Sequence, residues 1–171
     1  SLILCPTREL ASQVADEIRR LARYQNNIKV VTLCGGQSIG PQIGSLEHGA
    51  HVVVGTPGRI KDHLRKETLS LAHVNTLVLD EADRMLEMGF IDDIETIITA
   101  TPSNRQTLLF SATYPDNIQS LSARFQRAPQ RVSVESLHTE HDIAQRFFVC
   151  QKSDRLPALV RLLAHFKPQT A

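Results

Sequence analysis

The sequence has few cysteines, almost no net charge and no long apolar run, and each of these absences excludes a class of protein. Its 171 residues hold 3 cysteines, an odd number spread far apart, so neither a disulfide framework nor a metal-binding cysteine cluster is expected. No stretch approaches the ~20 apolar residues of a membrane span. The first residues are too short an apolar run for a signal peptide and lack its basic start. These absences favour a soluble protein of the reducing cytoplasm.

The net charge of +1 argues against a protein that binds nucleic acid through an overall basic surface. A chain with little net charge can still have basic side chains grouped on one edge of its surface. Most of the basic side chains in two predicted helical stretches are expected to lie on solvent faces. These residues are Arg8, Arg19, Arg20, Arg23, Arg59, Lys61, Arg65 and Lys66.

Short apolar runs that predict strands alternate along the chain with stretches of helical periodicity. Because neighbouring parallel strands need crossover connections, this alternation predicts an α/β fold, an open parallel sheet with helices on both faces. A helix capped by Thr56 is predicted after the third strand. The six predicted strands cover residues 2–5, 29–34, 51–55, 77–79, 106–110 and 131–134.

The pattern predicts two domains of unequal completeness. Residues 1–134 form the first, residues 135–142 a polar linker, and residues 143–171 the start of a second. One strand, at 143–150, and one helix cannot bury their own apolar surfaces, so this tail is expected to open a domain that is cut off. The chain starts with Ser1 at the head of a strand, which suggests a sequence that begins inside a larger protein.

An acidic segment follows the strand predicted at 77–79. It consists of Asp80, Glu81, Ala82 and Asp83. Two adjacent carboxylates at the end of a buried strand suit a magnesium-nucleotide site, where one holds the metal and its neighbour orients the attacking water. A solvated acidic turn that opens the next helix is the simpler alternative.

Four more short motifs follow predicted strands, and the carboxyl ends of parallel strands share one edge, where ligands bind. Helix starts that carry an arginine suit phosphate, although each also fits a capped helix with an exposed arginine. A glycine pair lets a sugar-phosphate backbone approach, or it ends a strand. The four motifs are Pro6-Thr7-Arg8, Gly35-Gly36, Thr56-Pro57-Gly58-Arg59 and Ser111-Ala112-Thr113.

In order and spacing, these motifs resemble those of the first domain of the DEAD-box ATP-dependent RNA helicases. The resemblance includes Glu9-Leu10-Ala11 after the first motif and extends from residue 2 to about residue 134. The flanks at 83–90 and 154–157 resemble most the bacterial DbpA-type members. The family implies a RecA-like sheet, here without its first strand, phosphate loop and helix, and then the start of a second RecA-like domain.

The resemblance also implies ATP and Mg²⁺ as cofactors and RNA as partner, held by its sugar-phosphate backbone without sequence preference. Contacts to the 2′-hydroxyl would favour RNA over DNA. Asp80 would hold magnesium largely through water, Glu81 would activate the attacking water, and Asp83 would couple nucleotide state to RNA binding. Asp83 would do so by pairing with the turn that holds Ser111 and Thr113. The residues implied for RNA are Pro6, Thr7, Arg8, Gly36, Gln37, Thr56, Pro57, Gly58 and Arg59.

The sequence departs from the family at the phosphate loop G-x-x-x-x-G-K-[ST]. Gly35 and Gly40 have the glycine spacing, but Pro41 and Gln42 follow where Lys and Ser or Thr are required. The loop is expected to precede Ser1, and the arginine finger to follow Ala171. We therefore expect a helicase fragment that is inactive by itself.

Two alternatives remain open, a non-catalytic RNA-binding or scaffold module and a DNA translocase of the same superfamily. A glycosidase fits less well, since adjacent carboxylates at one strand end do not flank a substrate bond.

Overall fold

Five parallel strands form the sheet at the centre of the first part of the chain. The computed structural model describes residues 1–134 and 146–168 and divides the chain into two units, Ser1–Gln130 and Arg131–Ala171. The strand order is β2-β3-β1-β4-β5, with every neighbouring pair parallel. The strands are β1 (Leu2–Leu4), β2 (Val30–Leu33), β3 (Val52–Gly55), β4 (Thr76–Leu79) and β5 (Gln106–Leu109).

Helices connect successive strands and cover the sheet. In the first unit they are α1 (Arg8–Leu21), α2 (Gly40–Leu46), α3 (Pro57–Arg65), α4 (Ala82–Glu87), α5 (Ile91–Thr99) and α6 (Asp116–Phe125). A short 3₁₀ turn, Ala22–Tyr24, follows α1. The second unit contains a 3₁₀ turn at Lys152–Asp154 and the helix α7 (Arg155–Phe166). No helix within the described ranges is both long and apolar enough to cross a membrane.

Two apolar clusters form the core. The larger one packs buried side chains of the strands, such as Leu77 and Leu79, against buried residues of the later helices, such as Met85 and Ile94. The smaller one packs α1 against the strands through small side chains, including Ala11. Helices on both faces bury the sheet, as the α/β pattern predicts, and leave the carboxyl ends of its strands at one edge.

Two predicted strands are wrong where the structure describes them. Residues 131–134 are outside the sheet, with Val132 81% and Val134 88% exposed. Residues 146–150 have no regular structure and leave Phe147 90% exposed. Apolar alternation indicates which side chains would face a core, but a strand also needs a neighbour with a free backbone edge. Residues 143–145 and the predicted linker, 135–142, are outside the described residues.

In the part of the second unit that the structure describes, most apolar side chains are exposed. On α7, Leu156 is 70% and Val160 59% exposed. Phe166 contacts the ring of Phe148, at a centroid distance of 6.2 Å, and the guanidinium of Arg146 lies 4.7 Å from the centroid of the Phe166 ring. The predicted helix is present, and the division into domains stays a prediction.

Candidate functional site at the carboxyl edge of the sheet

The strand order determines which motifs are neighbours at the carboxyl edge of the sheet. The glycine loop (residues 35–37) follows β2, residues 56–59 follow β3, and residues 6–8 follow β1. The acidic residues 80–83 follow β4 and the hydroxyl-bearing turn 111–113 follows β5. We call the first three segments the basic half of the edge and the last two the acidic half. Segments far apart in sequence are thereby joined into one surface.

Asp80 extends the backbone pairing of β4 beyond the strand. Its amide donates to the carbonyl of Leu4 at 3.0 Å, which fixes the residue beside β1. One side-chain oxygen, Oδ1, accepts from the amide of Glu81 at 3.0 Å. The other, Oδ2, accepts no hydrogen bond from the residues that the structure describes, so it remains available to a ligand.

Glu81 has a backbone conformation that non-glycine residues rarely adopt. Its φ of 49° and ψ of 52° put it in the left-handed region, immediately before α4. The amide of Ala82 donates to the carbonyl of Phe110 at 3.0 Å, which holds the turn against the end of β5. The Glu81 carboxylate lies 3.6 Å from the guanidinium of Arg84 and is 43% exposed. The carboxylate is thus held at the edge with access to solvent.

Asp83 joins the ends of β4 and β5. Its Oδ2 accepts from the amide of Thr113 at 2.9 Å and from the Thr113 hydroxyl at 2.8 Å. Its own amide donates to the hydroxyl of Ser111 at 3.2 Å. Burial alone would raise the pKa of this carboxyl, but the bonds from Thr113 and from the Arg84 amide hold the pKa below its ordinary value. Asp83 is therefore ionised and fixed at neutral pH.

Arg8 and Gly36 meet in the basic half. Gly36 has a φ of 73°, and a Cβ at this position would lie 2.9 Å from Nη1 of Arg8. The backbone conformation favours glycine here, and a Cβ would also make the guanidinium of Arg8 shift. Thr7, which precedes Arg8 in the chain, caps α1, since its hydroxyl accepts from the amide of Leu10 at 3.2 Å.

Thr56 and Arg59 attach the glycine loop to the start of α3. Thr56 is the N-cap residue of α3, as predicted, but its hydroxyl makes no capping bond and instead accepts from the amide of Gly35 at 3.4 Å. Nη2 of Arg59 donates to the carbonyl of Gln37 at 2.8 Å. Nη1 of Arg59 is buried and has no hydrogen-bond partner among the described residues.

A cleft of about 780 Å³ opens beside the glycine loop and the start of α3. Gly36, Gly58 and Arg59 line it, and a pair between Lys61 and Asp93, at 2.6 Å, joins α3 to α5 in its wall. This pairing raises the pKa of Lys61. An unpaired guanidinium nitrogen beside exposed glycine backbone suits an anionic ligand such as a phosphodiester.

Two of the residues implied for RNA, Pro6 and Pro57, are buried and shape the backbone. Gln37 is exposed, and its backbone carbonyl accepts the bond from Arg59. Among the described residues, no group of three or more His, Cys, Asp and Glu side chains is placed to hold a metal ion. Burial raises the pKa of Cys5 to about 12, with a smaller contribution from Asp80, so its thiol is unreactive at neutral pH.

Sequence reasoning missed Gln42 and His63, which lie beneath the glycine loop. Gln42 donates to the carbonyl of Cys34 at 3.0 Å, and its Oε1 lies 3.2 Å from Nε2 of His63. Burial, and less strongly Arg59, lowers the pKa of His63. The only sequence signal was the spacing of four residues between Arg59 and His63, which puts both on one face of a helix.

The chain belongs to the DEAD/DEAH box helicase family, whose model it matches over residues 1–121. The ATP-dependent RNA helicase DbpA of Escherichia coli K12 is 52% identical over 170 residues, which cover 99% of this chain and 37% of that protein. The ATP-dependent RNA helicase CshA of Listeria monocytogenes is 47% identical over 172 residues, covering 100% of this chain and 33% of the relative. The chain thus spans about a third of the length of these curated relatives.

Solved structures of the family have the same fold. The crystal structure of a DEAD box protein from Methanococcus jannaschii matches with a TM-score of 0.72 at 44% identity, covering 95% of this chain and 43% of that one. A hypothetical ATP-dependent RNA helicase from Sulfolobus tokodaii matches with a TM-score of 0.71 at 43% identity, covering 75% of this chain and 38% of the other. The open parallel sheet predicted from the alternating strands and helices, and the RecA-like architecture that the family resemblance implied, are confirmed.

Proposed function

We propose that this chain supplies part of the first RecA-like domain of an ATP-dependent RNA helicase, which couples ATP hydrolysis to local unwinding or remodelling of RNA duplexes. The observation that carries the proposal is the division of the carboxyl edge. The acidic half, on β4 and β5, adjoins the basic half, on β1, β3 and β2. One rigid sheet therefore presents a nucleotide-directed surface and a phosphodiester-directed surface side by side.

The carboxylates of the acidic half fit Mg²⁺. The free Oδ2 of Asp80 is a hard oxygen ligand at an accessible edge, and Mg²⁺ keeps several waters while it binds one or two carboxylates and substrate phosphates. Bound with ATP, the metal would neutralise the phosphate charge. Asp80 would hold it, largely through water. Glu81, whose carboxylate is accessible beside Asp80, would orient the attacking water and accept its proton.

The basic half would bind the RNA sugar-phosphate backbone. Arg8 and Arg59 supply guanidinium groups, the second in the lining of the cleft, and the start of α3 at Pro57 and Gly58 supplies the positive end of a helix. Gly36 lets a phosphodiester approach the main chain. Thr7 and Thr56 hold these segments in place, the first as a helix cap and the second on the amide of Gly35. None of these groups distinguishes bases, so binding would be independent of sequence.

Asp83 would connect ATP hydrolysis to RNA binding. Its three contacts to Ser111 and Thr113 tie the acidic strand end to the loop after β5. A shift of Asp80 or Glu81 on hydrolysis would be transmitted through Asp83 to that loop. In the whole protein, a second RecA-like domain would then bind RNA with a different affinity.

The three free cysteines, of which Cys5 and Cys34 are buried, support a cytoplasmic location, where thiols stay reduced.

Salt dependence of RNA binding tests the proposal. In the whole protein, Arg59→Ala is expected to weaken binding to single-stranded RNA and to reduce the slope of log Kd against log salt by about 1. Arg20→Ala is the matched control, because Arg20 is an exposed arginine of α1 paired with Glu17 at 2.7 Å. A slope that is the same in Arg59→Ala and the wild type would refute phosphate binding by Arg59. If DNA and RNA activate the ATPase equally, the result would favour a DNA translocase.

A further inference from the structure

A buried chain of hydrogen bonds runs beneath the glycine loop. Gln42, on α2, is 7% exposed, and His63, on α3, is 0% exposed. The Gln42 amide donates to the carbonyl of Cys34, the residue directly before the loop, at 3.0 Å. Its oxygen lies 3.2 Å from Nε2 of His63, and Nδ1 of His63 lies 2.8 Å from the hydroxyl of Thr68. Both ring nitrogens of a fully buried histidine are therefore used.

The hydrogen-bond partners determine the proton positions on His63. The side-chain oxygen of Gln42 only accepts, so Nε2 of His63 donates to it. The hydroxyl of Thr68 lies 2.8 Å from Nδ1 and also donates to the backbone carbonyl of His63 at 3.3 Å. Burial lowers the pKa of His63, so the imidazole is neutral and Nδ1 is its accepting nitrogen. A satisfied buried network of this kind favours a single geometry, because any other leaves polar groups without partners.

α3 holds the loop segment at two points. Arg59 and His63 are four residues apart and so project from one face of the helix. Arg59 binds the carbonyl of Gln37 at the end of the glycine loop, and His63 binds Gln42, which in turn holds Cys34 at its start. The loop contains Gly36 at a φ of 73°, and a glycine chain has wide conformational freedom unless contacts restrict it.

We propose that Gln42 and His63 are positioning residues for RNA binding, an inference that rests on the proposed function. Both side chains are buried, so they act through the loop and not by contact with RNA. They keep the backbone of Gly36 and Gln37 at a fixed distance from Arg59 and Gly58. The donors of the glycine loop and of α3 then already have the spacing that the phosphodiester needs. Binding does not incur the entropy cost of ordering the loop.

Substitutions in the whole protein test this role. His63→Leu and Gln42→Leu remove the network but keep buried side chains of similar size. Both are expected to raise the Kd for single-stranded RNA on the order of 10-fold, with the KM for RNA raised and kcat at saturating RNA little changed. His63→Gln should restore most of the affinity, since its amide nitrogen can donate to Gln42. Ile118→Val, which alters a buried residue of α6, is the control for a general loss of stability.

Hydrogen exchange gives a readout that does not depend on RNA. The amides of residues 35–37 should exchange faster in both leucine variants, and at the wild-type rate in His63→Gln and Ile118→Val. If His63→Leu does not fold, Gln42→Glu replaces the donor that faces the Cys34 carbonyl and should show the same two effects.

Unchanged exchange at residues 35–37 together with wild-type RNA affinity in folded variants would overturn the inference. If the wild-type protein binds no RNA, the proposed function is contradicted. Faster exchange in the leucine variants would in that case still support the restraint of the loop by Gln42 and His63.

Discussion

Glu81 has the most unusual backbone in the acidic half of the edge. A left-handed conformation costs a residue with a Cβ roughly 1–2 kcal/mol, and such strain persists only where neighbours enforce it. Here the amide of Ala82 bonds to Phe110, and the amide of Met85 bonds to the carbonyl of Glu81. The left-handed turn changes the chain direction between β4 and α4 and thereby fixes where the carboxylate lies.

Gly36→Ala is expected to separate two requirements of the glycine loop. The new Cβ demands a strained φ and would displace the guanidinium of Arg8, so stability should fall by about 1–2 kcal/mol and RNA affinity should fall as well. Gly49→Ala has the strain alone, because its φ is 71° with no atom within 4 Å of a Cβ. Gly35→Ala has neither effect. Urea unfolding and RNA titration would check this, and equal RNA affinity in Gly36→Ala and Gly49→Ala would contradict it.

Asp83 predicts a pH dependence of stability. Its pKa is lowered in the folded state from an ordinary 3.8, so its contribution is present above that pH and is lost as the pH falls through the folded value. Asp83→Asn should therefore cost about 1–2 kcal/mol at pH 7 and less at pH 3, where the contribution of the carboxylate has begun to be lost. Urea unfolding of the chain at the two pH values measures this.

Asp62→Asn, which removes an exposed pair with Arg65, is the control for Asp83 and should change little at either pH. A penalty for Asp83→Asn that is equal at pH 7 and pH 3 would show that ionisation of Asp83 is not involved.

At this scale the sequence predicted which motifs follow the strands at the carboxyl edge but not the contacts that each side chain makes. The motifs at residues 80–83 and 56–59 were recognisable because they follow apolar runs. The hydroxyl of Thr56 was expected on its own helix and instead binds Gly35, across two strands. The Gln42 and His63 network depends on α2 and α3 meeting under β2, which no local pattern specifies.

The end of β3 is the tightest point among the elements that build the edge. A Cβ at Gly55 would lie 2.4 Å from the carbonyl of Leu33 and 2.9 Å from Cδ1 of Ile60. Neither the β2 backbone nor a fully buried isoleucine can move far, so only glycine lets β2, β3 and α3 approach one another here.

Gly55→Ala should destabilise the fold by about 1–3 kcal/mol or more, through overpacking between β2, β3 and α3. Gly44→Ala is the contrasting variant, since Gly44 lies within α2 and a Cβ added there would have no atom within 4 Å, and it should stabilise by about 0.5–1 kcal/mol. Soluble yield and urea unfolding report both. Wild-type stability in Gly55→Ala would show that the strands can separate without cost.

The elements themselves were largely predictable, because buried parallel strands produce short apolar runs and amphipathic helices produce the 3.6-residue period. α6, from Asp116 to Phe125, buries Ile118 and Leu121, which are three residues apart and share one face. The failures at 131–134 and 146–150 have one cause, since strand formation depends on a partner that the segment does not encode. At the outer edge of β2 a side chain replaces a neighbouring strand. Arg19 donates to the carbonyl of Val30 and so occupies an acceptor that a further strand would use.

For the whole molecule, the sheet order converts five separated motifs into one surface with an acidic and a basic half. Membership of the DEAD/DEAH box helicase family rests on residues 1–121, and the curated relatives are about three times as long as this chain. The 171 residues hold the carboxylates of the proposed nucleotide site without a G-x-x-x-x-G-K-[ST] loop. Catalysis is accordingly proposed for the whole protein.

RNA-stimulated release of phosphate from ATP tests the central claim most directly. We expect the whole protein and its Glu87→Gln variant, which alters an exposed glutamate of α4, to release phosphate faster when RNA is added. Glu81→Gln should still bind ATP and RNA but turn over at least about 100-fold more slowly, because it removes the carboxylate that we propose activates the attacking water. The 171-residue chain alone should release no more than Glu81→Gln. Turnover by Glu81→Gln at the wild-type rate would contradict the assignment of the acidic half as the hydrolytic site.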